Sequence, residues 1–248
     1  MKSTKTPRLR TVSKVEPPYP LGKFPRDFIF KIGREIVYIL ATNPVPSIEG
    51  KVWERIFAGA IGADWKPSNV GLDDVILRVC AWGAKSVKIS RPHKAKSVRL
   101  ISGRNSPFYS FGERDLSGKT DDEIGGLALA IWNGRVEALR DKFSHLRTVV
   151  LLKSRNLTEF AVFETETVLF PPDRYKWRQN ERGNFEGFEI ETGVHRFTWQ
   201  PSGTQFTIIE PVPKSRICFR VRKPEARDRD TLLKEIGFNR SWVEIVQD

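Results

Sequence analysis

Between residues 27 and 220 the spacing of apolar residues switches repeatedly between the period of a helix and that of a strand, and this alternation constrains the fold. DFIFKIGREIVYILA, from Asp27 to Ala41, has a broad apolar face with Lys31, Arg34 and Glu35 opposite, which predicts a helix. NPVPS then stops it, since both prolines lack an N–H and push their predecessors out of helical geometry. Ser47 can cap a second helix running to about Ile61. DDVILRV and AWGAKSVKI are two short β-type runs, readable as a hairpin or as one bent strand. Residues Arg91 to Lys119 are basic and rich in Ser and Gly, which predicts a loop that contacts a ligand or stays mobile. Thr120 and Glu123 have capping-box spacing ahead of a long helix to about Leu146, with Ile124, Leu127, Ile131, Leu139 and Phe143 on its apolar side. RTVVLLK and TEFAVFE follow as strands, the second apolar enough for burial on both faces. A last strand, RICFRV, and a short helix near Asp230 to Ile236 close the chain. No internal repeat is present. Interleaved helices and strands give an α/β or α+β class: a mixed sheet flanked by helices, with a β-rich C-terminal region.

The 248 residues suffice for one large core. Lys2, Lys5, Arg8, Arg10 and Lys14 precede the proline cluster PPYP, so residues 1–22 read as a flexible basic arm. Residues 23–248 then form one domain, with a half suited to catalysis (23–170) and a β-rich half (171–248). Cys80 and Cys218 each lie in an apolar run, with no leader sequence ahead of them. Two reduced, core-packed thiols in the cytoplasm are expected. Three scattered histidines make a Cys/His zinc site a poor fit. No apolar run has the length of a membrane span.

Charge narrows the partner. Forty-two Lys and Arg against thirty Asp and Glu leave +12, a field that favours polyanions, with nucleic acid the commonest. A membrane surface would also suit that charge, and an evenly spread solubility charge is the bland alternative.

Residues 50–88 carry the chemistry. Phosphodiester hydrolysis needs carboxylates to hold Mg²⁺ and a lysine beside the phosphate or the attacking water. Asp73 and Asp74 stand at the start of a strand, and Lys85 lies on the next one between the small Ala84 and Ser86. Helical spacing surrounds Glu54 with Gly50, Phe57, Ala58 and Ile61, an apolar setting in which a carboxylate needs a partner. Glu49 also falls on that side, where the helix dipole alone could explain it. Lys51 or Arg55 could pair with either glutamate, a turn could account for Asp73 and Asp74, and a solvated edge strand for Lys85 and Lys88.

GKVWERIF followed by GLDDVILRVCAWGAKSVK resembles the core of the PD-(D/E)xK nucleases, the superfamily that includes most type II restriction endonucleases. That resemblance implies a helix glutamate, a strand-start aspartate and then a Glu-x-Lys on the following strand. Here the matching residues are Glu54, Asp74 (or Asp73) and Lys85. It implies Glu54 and Asp74 as Mg²⁺ ligands and Lys85 as the group that orients water or stabilises the developing charge. Gly83 stands where the family has an acid, and Glu54 would supply the missing carboxylate. The segments KSVRLISGRNSPFYSFG and HRFTWQPSGTQFTI also resemble restriction-endonuclease sequence.

A reading surface for double-stranded DNA is expected in two places. HRFTWQ and TQFTII, joined by PSG, would form a hairpin with Arg196, Thr198, Gln200, Gln205 and Thr207 on one face. Arg and Gln are the side chains that pair bidentately with guanine and adenine edges. Arg178 lies in RYKWRQNERGN, where cations interleave with aromatics, and Arg104 and Asn105 lie in the preceding basic loop. Trp177, Phe197 and Trp199 suit core positions equally well. A site-specific, Mg²⁺-dependent endonuclease acting as a homodimer is the leading expectation. A non-catalytic nucleic-acid-binding protein and an RNA-processing nuclease are the alternatives.

Overall fold

The computed structural model describes residues 15–66 and 71–246. Two helices come first, α1 (Phe28–Thr42) and α2 (Lys51–Ile61), separated by the proline break. Ser47 does not cap α2; the helix starts behind Gly50, at a positive φ of 49° that suits glycine. The residues before it are used for packing instead: Ile48 is fully buried and its carbonyl accepts a hydrogen bond from Lys153 Nζ. Next come β1 (Asp64–Trp65), β2 (Val75–Leu77) and β3 (Cys80–Lys88). Of the two readings of DDVILRV and AWGAKSVKI the hairpin is correct, since β2 and β3 pair antiparallel around Arg78.

The basic stretch expected to be loop contains a strand, β4 (Ser97–Arg104), and a short helix, α3 (Pro107–Phe111). Val98, Leu100 and Ser102 point inward while Ser97, Arg99 and Ile101 point out, a period of two that the basic composition hid. Helix α4 (Asp121–Arg140) opens with the Thr120–Glu123 capping box as expected. It ends six residues before Leu146, because the chain from His145 is drawn into β5 (His145–Lys153) beside β3. The remaining elements are β6 (Glu159–Glu166), β7 (Tyr175–Gln179), β8 (Phe185–Glu189), β9 (His195–Gln200), β10 (Gln205–Pro211), β11 (Ile217–Arg220) and α5 (Arg229–Glu235).

The fold is mixed α+β with two sheets. In the first, ordered β1-β2-β3-β5-β6-β11, only β3 and β5 are parallel, joined by the crossover that contains α4. The second is an antiparallel sheet ordered β4-β10-β9-β8-β7. Helices α1 and α2 cover one face of the first sheet through Ile36, Trp53 and Phe57 against Trp82, Val149 and Val162. On its other face, α4 lies between Ala81 and Leu146 of the first sheet and Trp177, Phe197 and Phe206 of the second. That contact is tight: a Cβ on Gly125 of α4 would sit 2.0 Å from the Trp177 ring. Farther along, Val98 and Leu100 of β4 pack directly on Val150 and Phe163. The first sheet is therefore covered on both faces, while the second keeps one face open.

Two further expectations change. The basic residues Lys2 to Lys14 lie outside the described residues, but the rest of the expected arm is docked. Tyr19 is buried and its hydroxyl donates to Glu164 Oε1 at 2.7 Å, while Arg147 donates to the Tyr19 carbonyl. Cys80 is buried as expected, and burial pushes its thiol up to about 12. Cys218 is exposed, because β11 is a short edge strand whose inward residue, Phe219, stacks on Phe160. Among the described residues no helix is long and apolar enough to cross a membrane.

Candidate active site and nucleic-acid interface

Asp74 sits one residue ahead of β2, and the register that pairs Val75 with Trp82 places it across from Gly83. Only 3% of Asp74 is exposed, and its Oδ2 accepts the backbone N–H of Ala84 at 3.3 Å. Lys85 follows on β3, densely surrounded by protein, with Nζ donating to the Gly71 carbonyl at 3.1 Å. Loss of water lowers its pKa, the charges of Asp74 and Glu54 pull it back up, and Arg135 adds to the lowering. Glu54, in the first turn of α2, is half-buried and accepts the Trp65 indole N–H at 3.1 Å. The chain thus brings the charges of Glu54 and Asp74 to bear on Lys85.

The neighbouring acids differ from these. Glu49 precedes α2 and forms an ion pair with Lys153 at 3.4 Å, so a structural cation explains it better than a helix dipole. Asp73 is half-buried, with Oδ1 enclosed and without a hydrogen-bond partner. Lys88 is exposed and Lys85 is not, but β3 lies between β2 and β5 in the sheet and is no edge strand.

The chain also closes the position where the resemblance calls for an acid. A Cβ on Gly83 would meet the Gly71 carbonyl oxygen at 2.8 Å and Leu72 Cα at 3.2 Å. Backbone fills that space, and the same carbonyl holds Lys85 Nζ. Among the described residues no group of three or more His, Cys, Asp or Glu side chains is placed to hold a metal ion. A two-carboxylate set still fits the habits of Mg²⁺, which keeps several waters and takes one or two carboxylates plus substrate phosphate oxygens. Glu54 and Asp74 match that donor chemistry, and the unpartnered oxygen of Asp73 lies next to it in the chain.

The open face of the second sheet gathers much of the expected reading surface. Gln205 pairs with Gln200 on one side and with Arg104 on the other, so the three lie in one cross-strand row. Beside it, Arg178, Arg182, Asn180, Asn184 and Gln200 line a broad polar hollow. The Arg178 guanidinium lies over the Phe188 ring, 4.2 Å from its centroid. Arg99 of β4 also lines the hollow and was missed in the sequence, although the alternation in SVRLIS marks it as outward-facing.

Three of the expected DNA contacts are redirected. Arg196 is the extra residue of a bulge, since Gly187 pairs with Phe197 and Phe188 with His195. Its guanidinium pairs with Glu210 at 3.2 Å, while His195 takes the place on the open face, stacked on Phe188 and 3.2 Å from the Thr198 hydroxyl. Burial pushes the Glu210 carboxyl up and Arg196 opposes this. Thr198 is buried, and its hydroxyl accepts Arg99 at 2.9 Å. Asn105 is fully buried: its amide donates to the Ala128 carbonyl at 2.7 Å and its side-chain oxygen accepts Arg135. Its side chain is thus taken up by contacts inside the protein. The chain matches no protein-family model, no curated protein and no solved structure.

Proposed function

We propose that this protein is a Mg²⁺-dependent endonuclease of double-stranded DNA, cutting at Glu54, Asp74 and Lys85 and binding the duplex on the open face of the second sheet. The observation that carries the reading is the half-buried Lys85, on which the charges of Asp74 and Glu54 both act, at a strand pair fixed by β2–β3 register. A divalent ion on the two carboxylates would supply Lewis-acid stabilisation of the phosphate. Lys85 would hold its ammonium against the phosphate oxygens or the attacking water, and the enclosure that costs it hydration also strengthens its field. Arg104, Gln200 and Gln205 would meet base edges, with Arg99, Arg178 and Arg182 on phosphates. A twofold dimer suits a palindromic duplex, and the exposed Trp242, Val243, Ile245 and Val246 near the C-terminus give a second copy an apolar surface to cover.

The closed position at Gly83 favours a second reading, a DNA-binding protein that does not cut. The two separate on incubation of the full chain with phage DNA and Mg²⁺. Discrete fragments, lost on the order of a thousandfold in rate in Asp74→Ala, support the nuclease. Retention of DNA without cleavage selects the binder.

A further inference from the structure

Helix α3 is a projecting knuckle of aromatic residues. Phe108, Tyr109 and Phe111 are all exposed, Tyr109 by 91%. Such short segments usually fray, yet this one is firmly mounted. Pro107 starts it, the Ser106 hydroxyl accepts the Tyr109 N–H at 3.2 Å, and Gly112 ends it at a positive φ of 74°. Its root is Asn105, clamped from four directions. Besides the bonds to Ala128 and Arg135, the Asn105 carbonyl accepts the Trp199 indole N–H at 2.8 Å and its N–H donates to the Thr204 carbonyl at 2.7 Å. Trp199 and Thr204 flank the turn between β9 and β10, so the knuckle is tied to the strands that carry Gln200 and Gln205. It follows directly on Arg104, the third member of that row.

A cation backs one of these rings. The Arg114 guanidinium lies 4.8 Å from the Phe108 centroid, and Arg104 is exposed on the other side of Asn105. An apolar protein surface would have to bury those charges unpaired, whereas a nucleic acid brings phosphates for the arginines and flat bases for the rings. We propose that α3 is a stacking wedge, in which Tyr109 receives a base unstacked from bound DNA while Phe108, backed by Arg114, supports it. This rests on the DNA-binding reading and adds to it a preference for deformed or unpaired sites, since a base already out of the stack spares the cost of extracting it.

The test titrates the full chain against a labelled mixed-sequence duplex and against the same duplex carrying one unpaired fluorescent purine analogue. The wild type should bind the second about tenfold more tightly and quench the analogue, the scale expected for one base stacked on one aromatic ring. Tyr109→Ala should bring the two affinities together with little change on the intact duplex, and Tyr109→Trp should keep the preference and the quenching. Equal wild-type affinity for both duplexes overturns the wedge and leaves the DNA-binding reading standing. Binding to neither overturns both. A preference that survives in Tyr109→Ala, or a change of oligomeric state in that variant without loss of quenching, also removes the wedge.

Discussion

The two sheets treat polar side chains in opposite ways. In the first, both faces are covered, and the buried Glu164 and Lys153 are each held by several specific partners. Glu164 takes the Tyr19 hydroxyl, the Trp82 indole N–H, the Gly22 N–H and the Arg147 guanidinium. Lys153 takes the Ile48 carbonyl, Ser86 and Glu49. In the second sheet one face is open, and Arg104, Arg178, Arg182 and Gln205 project where partners can be exchanged. Burial shifts protonation and fixes position, which is what chemistry needs; exposure leaves hydrogen-bonding groups available, which is what recognition needs. The proposed division of labour follows that difference in packing.

The contrast is broken most directly at Glu164. Glu164→Ala should cost about 3–5 kcal/mol of stability in urea unfolding, because it strands the buried Arg147 charge and two buried donors. Arg178→Ala on the open face should stay within roughly 0.5 kcal/mol of wild type. Similar losses from both would show that covering does not separate the sheets.

Gly83→Ala should be the next largest, about 1–3 kcal/mol, since its Cβ must displace the Gly71 carbonyl and loosen the Lys85 anchor with it. If the variant is as stable as wild type, backbone does not close that position. An added acid could then be accommodated there.

What was legible in the sequence were the features set by neighbours along the chain. The Thr120–Glu123 cap and the shared face of Gln200 and Gln205 each follow from spacing within a few residues, whereas the β-type runs at residues 73–89 left a hairpin and one bent strand both open until the β2–β3 pairing decided it. The grouping of Glu54, Asp74 and Lys85 came from order along the chain together with a resemblance. What stayed hidden depended on distant partners. Arg196 changes face because a single bulge breaks the alternation and Glu210, fourteen residues on, takes its charge. Asn105 looks like a loop side chain until Ala128, Arg135 and Trp199 close around it. Ser47 has the chemistry of a cap, but burial of Ile48 outweighs about 1 kcal/mol of capping.

On the open face, Gln200→Ala should cost roughly 1–2 kcal/mol at a preferred site and relax discrimination at particular base pairs. Its non-specific affinity and salt dependence should not move, because Gln releases no counterion, whereas Arg178→Ala should weaken binding to every sequence and flatten the salt slope. Binding series on single-substituted duplexes at two salt concentrations separate the outcomes. Uniform weakening by Gln200→Ala would take base reading away from this face.

The smallest effect concerns stability at Lys85, and it sharpens the comparison because its sign is opposite to that at Glu164. Burial lowers the Lys85 pKa below its ordinary 10.5, so the folded protein binds this proton less tightly than the unfolded chain does. The penalty is complete at pH values below the folded pKa and fades as pH rises toward 10.5, where the unfolded lysine also loses its charge. Between those limits the unfolded state holds more protons, so this group makes stability rise with pH. Lys85→Met keeps the apolar stem and removes the charge. It should be more stable than wild type by about 1 kcal/mol near neutral pH, with the gap narrowing toward pH 10, while cleavage is lost. Unfolding curves for both proteins across that range decide it. A variant less stable at neutral pH, or a gap independent of pH, would mean that Asp74 and Glu54 compensate Lys85 fully. The site would then hold a structural ion pair, with no strain reserved for a phosphate.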